Sequence, residues 1–221
     1  MEEKIIELQE KNQLTHNIFQ FIFNKPENFE FEAGQFVQFM IPDGNSYSPR
    51  SYSIASTPDD DYLEFCIKIL KEGLASNYLP TLSIGDKLNM KGPFGSFTVS
   101  KKTSSHTFLA TSCGIAPIIS MITDLLNKDQ NTQIKLLFGL RSEEDIFYKD
   151  RLDKLSQHNN FSYNISLSQP SQRWNGLEGR ITDHLNKLDQ DSEFYVCGNR
   201  DMIQDVMNSV DAKTEIHTEI F

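Results

Sequence analysis

Arg50-Ser51-Tyr52-Ser53 is the most informative short string in the chain. On a strand, alternation puts Arg50 and Tyr52 on one face and Ser51 and Ser53 on the other. An arginine fork can hold two phosphate oxygens, and a neighbouring tyrosine offers a flat surface for a ring. The plain alternative is a surface arginine beside a half-buried tyrosine. A second string, Gly73-Leu74-Ala75-Ser76, precedes Asn77-Tyr78-Leu79 at the expected start of a helix. Backbone N–H groups there attract phosphate, and the Ser76 hydroxyl can add a hydrogen bond. The same residues also suit an ordinary helix cap.

Further along, Thr111-Ser112-Cys113-Gly114-Ile115-Ala116-Pro117 lies between an expected strand and helix. A mononucleotide-binding half presents its nucleotide-facing loop at such a junction. Small side chains let a planar group approach the backbone, and Pro117 suits the first helical turn. The common dinucleotide fingerprint of three spaced glycines is absent. Cys197-Gly198 ends a later strand, so Cys113 and Cys197 both fall at carboxyl ends of strands, where open α/β sheets bind ligands. The ordinary alternative for each cysteine is a buried, inert thiol. No histidine is placed to activate either one as a nucleophile.

The elements that must position these residues fall into two halves. Residues 4–9, 16–23, 35–41, 51–55, 62–70 and 88–91 read as strands, with turn signals at PDGNS and TPDDD and one short helix within 73–82. GPFG at 92–95 reads as a rigid turn, and 97–99 as a strand closing a small antiparallel β-barrel. After Lys101 the pattern alternates: strands at 106–110, 134–139, 161–167 and 194–197, helices at 116–126, 144–155, 181–188 and 202–210. That order predicts a parallel sheet covered by helices on both faces. The expected domains are residues 1–100 and 101–221.

Acidic residues outnumber basic ones, 31 to 21, for a net charge of -10. This excludes a general grip on nucleic acid or on an anionic membrane. No stretch approaches the ~20 apolar residues of a membrane span, and the N-terminus lacks the apolar core of a signal peptide. Cys66, Cys113 and Cys197 are too dispersed for a disulfide framework, a zinc knuckle or an iron–sulfur cluster. A reducing, cytoplasmic setting is the expectation.

In order, RSYS at 50–53, GLASNYL at 73–79, GPFGSF at 92–97, CGIAP at 113–117, FGLRSEEDIFY at 138–148, WNGLEGRI at 174–181, CGNRDM at 197–202 and EIF at 219–221 resemble the ferredoxin–NADP reductase superfamily. The likeness covers nearly the whole chain. It implies a two-domain protein, an antiparallel flavin-binding β-barrel followed by an α/β parallel-sheet pyridine-nucleotide-binding domain. It also implies FAD as cofactor and NADH or NADPH as electron donor. By the resemblance, Arg50 holds the FAD pyrophosphate, Tyr52 packs on the isoalloxazine and Ser53 sits near flavin N5. Gly73 and Ser76 bind the pyrophosphate, and backbone groups along Ile67–Ile69 contact the ribityl chain. Cys113, Gly114 and Pro117 shape the nicotinamide nucleotide loop, with Cys197 and Gly198 bordering the nicotinamide. Glu219 is the carboxylate near that ring, Phe221 the terminal aromatic covering the other flavin face, and Met202 is mainly structural.

Three departures from the family pattern carry expectations of their own. The family loop usually has an extra glycine and a threonine before GIAP, whereas Thr111-Ser112-Cys113 stands here, and its bulk is expected to shift the nucleotide or lower its affinity. Asn199 replaces a proline and is expected to loosen the turn after Cys197-Gly198. Gln169, at the end of the third strand of the second domain, lacks the positive charge that meets a 2′-phosphate and tilts the preference toward NADH. Arg141 and Arg173 keep NADPH open. The implied reaction is hydride transfer to flavin, then electron transfer to a separate ferredoxin, flavodoxin or oxygenase component. The alternatives are reduction of free flavin, or a nucleotide-binding regulatory or electron-transfer subunit with little turnover of its own.

Overall fold

The computed structural model describes residues 3–100 and 102–220. The chain divides after Thr98 into two units, each with its own sheet.

In the first unit, β1 (Lys4–Gln13), β2 (Ile18–Asn24), β3 (Phe36–Asp43), β4 (Ser46–Ser53), β5 (Tyr62–Lys68) and β6 (Lys87–Phe94) form one antiparallel sheet. Its order is β4-β3-β6-β1-β2-β5. The outer strands meet through the Ile54–Phe65 bridge and the Ala55 N–H to Glu64 C=O bond of 2.8 Å, which closes the barrel. Alternation buries one side of β1, β2, β3 and β6, whereas β5 is buried almost throughout. Phe23, Phe39 and Phe65 meet edge-on in the centre, with centroids 4.8 to 6.0 Å apart. Closure was expected from residues 97–99, which form no strand; the bridge at Ile54 does that work instead. GPFG differs as well. Its first three residues continue β6, because Phe94 pairs with Phe36 on β3, and the chain turns only afterwards.

β4 begins five residues before the expected strand. A two-residue loop, with Gly44 at φ 61°, turns β3 directly back into it. Its sequence, SYSPRSYS, shows no apolar alternation, because β4 is an outer strand with a largely exposed first half. Pro49 is tolerated there for the same reason. The short helix α1 (Leu74–Tyr78) runs into a 3₁₀ turn over Leu79–Thr81.

The second unit holds β7 (Ser105–Thr111), β8 (Gln133–Leu140), β9 (Phe161–Leu167), β10 (Leu177–Glu178), β11 (Glu193–Gly198) and β12 (Ile216–Ile220). These are parallel throughout, in the order β10-β9-β8-β7-β11-β12. The connections carry α2 (Ile115–Lys128), α3 (Lys149–Leu155), a 3₁₀ segment over Ile181–Lys187 and α4 (Arg200–Ser209). One face of the sheet, through Leu109, Leu137, Phe194 and Val196, packs on Ile181, Leu185, Ile203 and Val206. Phe138, pointing to the opposite face from Leu137, meets Phe147 at 5.5 Å. No helix among the described residues is long and apolar enough to cross a membrane.

Residues 144–155 do not form the single helix their pattern suggests. Ser142 and Asp145 close a 3₁₀ turn through bonds of 2.9 and 3.1 Å to the Asp145 carboxylate. The chain then extends to bury Phe147, Tyr148 takes φ 58°, and α3 starts only at Lys149.

Candidate functional site

Arg50, Tyr52 and Ser53 lie on β4, opposite Phe39, Val37 and Phe36 of β3. Arg50 is exposed and donates from Nη1 to the Pro49 carbonyl at 2.8 Å. The Tyr52 ring packs at 5.0 Å from that of Phe39, so half of it belongs to the barrel core. Burial pushes the Tyr52 phenol up to about 12, and the Arg50 charge opposes that rise. The guanidinium therefore stands close to the ring, as alternation on the strand requires. Ser53 is half-buried at the end of β4.

Ile67 is buried in β5 opposite Phe19, and the Ile69 N–H is committed to the Asn17 carbonyl at 2.8 Å. Gly73 takes φ 135°, and α1 begins directly after it without a side-chain cap. Only glycine adopts that backbone cheaply. Ser76 Oγ accepts the Leu70 N–H at 3.0 Å, which leaves its own O–H as a donor. α1 has only five residues, so the site here rests on the Gly73 backbone and the Ser76 hydroxyl rather than on a helix dipole.

In the second unit, successive strands β7, β8, β9 and β10 step to one side, and the chain then returns to place β11 on the other side of β7. The switch point lies between β7 and β11, where such sheets open a ligand crevice at their carboxyl ends. β7 ends in a 3₁₀ turn over Ser112–Gly114 that leads into α2. Gly114 lies hard against β11: a Cβ there would stand 2.3 Å from the Cys197 carbonyl oxygen. Gly198 is equally confined, since its Cβ would meet Thr111 Oγ1 at 2.4 Å and Met202 Cε at 2.1 Å. Both glycines are therefore required by the close packing of the 111–114 turn and the start of α4 on the end of β11. Thr111 Oγ1 is buried without a hydrogen-bond partner, a polar atom that a ligand amide could satisfy. Ser112 takes φ 50°, a conformation that costs glycine little. The loop thus keeps a glycine-like path in spite of its bulkier residues. Pro117 is buried in the first turn of α2, where its missing N–H costs nothing.

Cys197 is buried in β11, between Ala110 of β7 and Glu219 of β12. Burial pushes its thiol well above the ordinary range, and Glu219 and then Cys113 add to that. Cys197 is accordingly a neutral thiol beside a half-buried carboxylate, not a nucleophile. The register that brings Glu219 to Cys197 belongs to β12, a strand absent from the sequence reading. Phe221 lies outside the described residues.

Asn199 corrects one expectation. Its side chain accepts the Met202 N–H at 2.9 Å and caps α4, so the turn after Gly198 is fastened rather than loosened. Met202 is buried beneath that turn. At the ends of β8 and β9, Arg141 Nε donates to Gln169 Oε1 at 2.9 Å, and the Gln169 N–H donates to the Arg141 carbonyl at 2.7 Å. Arg173 is exposed in the following loop, which Glu143 holds by accepting the Ser171 N–H at 2.9 Å. Glu143 had no signal in the sequence.

The chain thus carries an antiparallel barrel with an arginine and a tyrosine on an outer strand, followed by a parallel sheet with its switch point between β7 and β11. Family models match both units: an oxidoreductase FAD-binding domain over residues 5–99 and an oxidoreductase NAD-binding domain over residues 108–208. The chain is 33% identical over 182 residues to ferredoxin–NADP reductase B of Sorangium cellulosum, covering 77% of this chain and 75% of that one. It is 31% identical over 205 residues to the anthranilate 1,2-dioxygenase electron transfer component of Acinetobacter baylyi, covering 88% of this chain and 59% of that protein. The crystal structure of a Neisseria gonorrhoeae ferredoxin NADP+ reductase with bound FAD and NADP superposes with a TM-score of 0.89, at 22% identity, over 100% of this chain and 99% of the other. This chain belongs to the ferredoxin–NADP reductase superfamily.

Proposed function

We propose that the chain is an NAD(P)H-dependent flavoprotein reductase that takes hydride from nicotinamide C4 onto FAD N5 and passes electrons to a separate redox protein. The observation that carries this reading is the switch point between β7 and β11, where Gly114 brings the 112–114 turn onto the Cys197 backbone and the unpartnered Thr111 hydroxyl suits a carboxamide. When bound, the two cofactors supply the redox chemistry itself.

The residues bind, orient and exclude water. Arg50 pairs with the FAD pyrophosphate from the outer strand, and Ser76 adds its hydroxyl there beside Gly73. Tyr52, fixed against Phe39, gives the isoalloxazine a rigid face. Ser53 would donate a hydrogen bond at N5, and the backbone of residues 67–69 would line the ribityl chain. Gly114, Pro117, Cys113 and Gly198 shape the nicotinamide loop. The Cys197 thiol, held protonated by burial, and the Glu219 carboxylate would position the nicotinamide ring. By the family resemblance, Phe221 would be the terminal aromatic that covers the second flavin face.

Gln169, already engaged by Arg141, supports NADH as the better donor. Arg141 and Arg173 remain the groups that would meet the 2′-phosphate of NADPH. The partner is a ferredoxin, a flavodoxin or an oxygenase component. The electron-transfer component of a dioxygenase and a ferredoxin–NADP reductase among the relatives support that class. Three free cysteines support a reducing, cytoplasmic location.

Stopped-flow reduction with NADH and NADPH, followed by a panel of acceptor proteins and free flavins, tests the reading. NADH is expected to reduce the flavin faster, and a protein acceptor to outpace free flavin. Ser53→Ala is expected to slow reduction while FAD stays bound; unchanged reduction removes the role given to Ser53. A colourless protein that reduces only added flavin replaces this reading with free-flavin reduction.

A further inference from the structure

The amino ends of β7, β11 and β12, at the opposite end of the sheet from the nucleotide crevice, gather His106, Glu193, Glu215 and His217. The His106 and Glu193 side chains are 2% and 6% exposed. His106 Nδ1 stands 3.8 Å from Glu193 Oε2, and His217 Nε2 stands 3.9 Å from that oxygen and 3.8 Å from Glu215 Oε1. These distances are too long for hydrogen bonds, charge-assisted ones included. Both imidazole nitrogens are buried and lack a hydrogen-bond partner. Two orphaned ring nitrogens aimed at carboxylate oxygens are costly unless something stands between them.

The surrounding groups hold these donors in place. Ser100 Oγ donates to Glu193 Oε1 at 3.0 Å, and the Tyr195 hydroxyl donates to Glu193 Oε2 at 2.9 Å. The Ser100 N–H in turn donates to that hydroxyl at 2.8 Å. The His217 ring stacks on Tyr195 with centroids 4.6 Å apart and planes 14° apart, and His106 meets Tyr195 edge-on at 5.6 Å. Outer partners of this kind fix ring orientation and carboxylate basicity in metal sites.

We propose that Glu193, Glu215 and His217, with His106 beside Glu193, form a binding site for a divalent transition metal, with Zn²⁺ as the matching ion. Imidazole and carboxylate are its ordinary ligands, and two carboxylates balance its charge. One donor atom from each of Glu193, Glu215 and His217 lies within 4.8 Å of the others. Neighbouring donors around tetrahedral zinc stand about 3.3 Å apart, so the His217–carboxylate pairs close by roughly 0.5 Å and the two carboxylates by up to about 1.5 Å to ligate. The present competitor is Lys102, whose Nζ lies 3.2 Å from Glu215 Oε1 on a side chain 74% exposed and free to swing away. Bound metal would pin β12 to β11, and the far end of β12 carries Glu219.

The test uses the full chain, stripped with chelator and titrated calorimetrically with Zn²⁺ alone, then gel-filtered for elemental analysis. One zinc per chain and a higher melting temperature are expected. Glu193 and His106 are too buried to substitute cleanly, so the variants sit at the rim. His217→Ala and Glu215→Gln should each weaken binding at least tenfold, whereas Lys102→Met should tighten it. His158→Ala, on the exposed segment after α3, should bind as the parent does. Absence of stoichiometric zinc overturns the proposal, as does affinity unchanged in His217→Ala or weakened by Lys102→Met. Binding abolished by alkylating the cysteines also overturns it, because that places the ion elsewhere.

Discussion

Gly114→Ala attacks the narrowest point of the nucleotide crevice. The added methyl would lie 2.3 Å from the Cys197 carbonyl oxygen, 2.7 Å from its carbon and 3.1 Å from the Gly198 nitrogen. All three atoms are backbone of β11, which is hydrogen-bonded on both sides to β7 and β12. No side chain can rotate to relieve the clash, so the 112–114 turn must retreat by about 1 Å to reach ordinary contact. Overpacking commonly costs about 1–3 kcal/mol, and a rigid opposing surface puts this case at about 2–3. Expressed in nucleotide capture, that is a loss of about 30- to 150-fold in the second-order rate of flavin reduction. Expressed in folding, it is a melting drop of about 10 °C for a domain of this size. Gly198→Ala is the contrast: its methyl meets Met202 Cε and Thr111 Oγ1, side-chain atoms that can move, and should cost less. The assay pairs anaerobic stopped-flow reduction with thermal unfolding, at a measured FAD content that Gly114→Ala should leave unchanged. Parental reduction and melting in Gly114→Ala, or a larger effect from Gly198→Ala, would refute the placement of the nicotinamide loop against β11.

Arg50→Ala should weaken FAD binding about 10- to 150-fold, the range for a lost charge-assisted hydrogen bond of about 1.5–3 kcal/mol; FAD retained after gel filtration as in the parent contradicts this. The Tyr52 phenol is raised in the folded state from 10.0 to about 12, so its contribution to stability is complete below pH 10 and fades as pH climbs toward 12. By pH 11 about 1.4 kcal/mol is lost, and Tyr52→Phe should remove that part of the alkaline decline in urea unfolding between pH 9 and 11. Asn199→Ala should cost about 1 kcal/mol by uncapping α4. An unchanged urea midpoint would mean that the turn after Gly198 is held by other contacts.

The sequence made the second unit more legible than the first. Its strands are separated by polar turns, so β8 and β11 stand out as short apolar runs and β9 as an alternating FSYNISL. β12 escaped notice because an outer strand with a half-exposed IHTEI pattern carries no such run, although it brings Glu219 to Cys197. The same lack of an apolar face hid the first half of β4. In α3, the need to bury Phe147 outweighed helical spacing, which a one-dimensional pattern does not register. Arg50, Tyr52 and the Cys113–Gly114 turn were readable from residue type and order. The closeness of Gly114 to Cys197, the orphaned Thr111 hydroxyl and the grip of Glu143 on Ser171 depend on tertiary approach between distant segments.

Anaerobic titration of the purified chain with NADH, and separately with NADPH, followed by flavin absorbance, tests the central claim most directly. The protein is expected to carry FAD and to lose its oxidised-flavin absorbance with one equivalent of nucleotide, NADH acting faster. Bound FAD that neither nucleotide bleaches would contradict it and make the chain a nucleotide-binding subunit without reductase turnover.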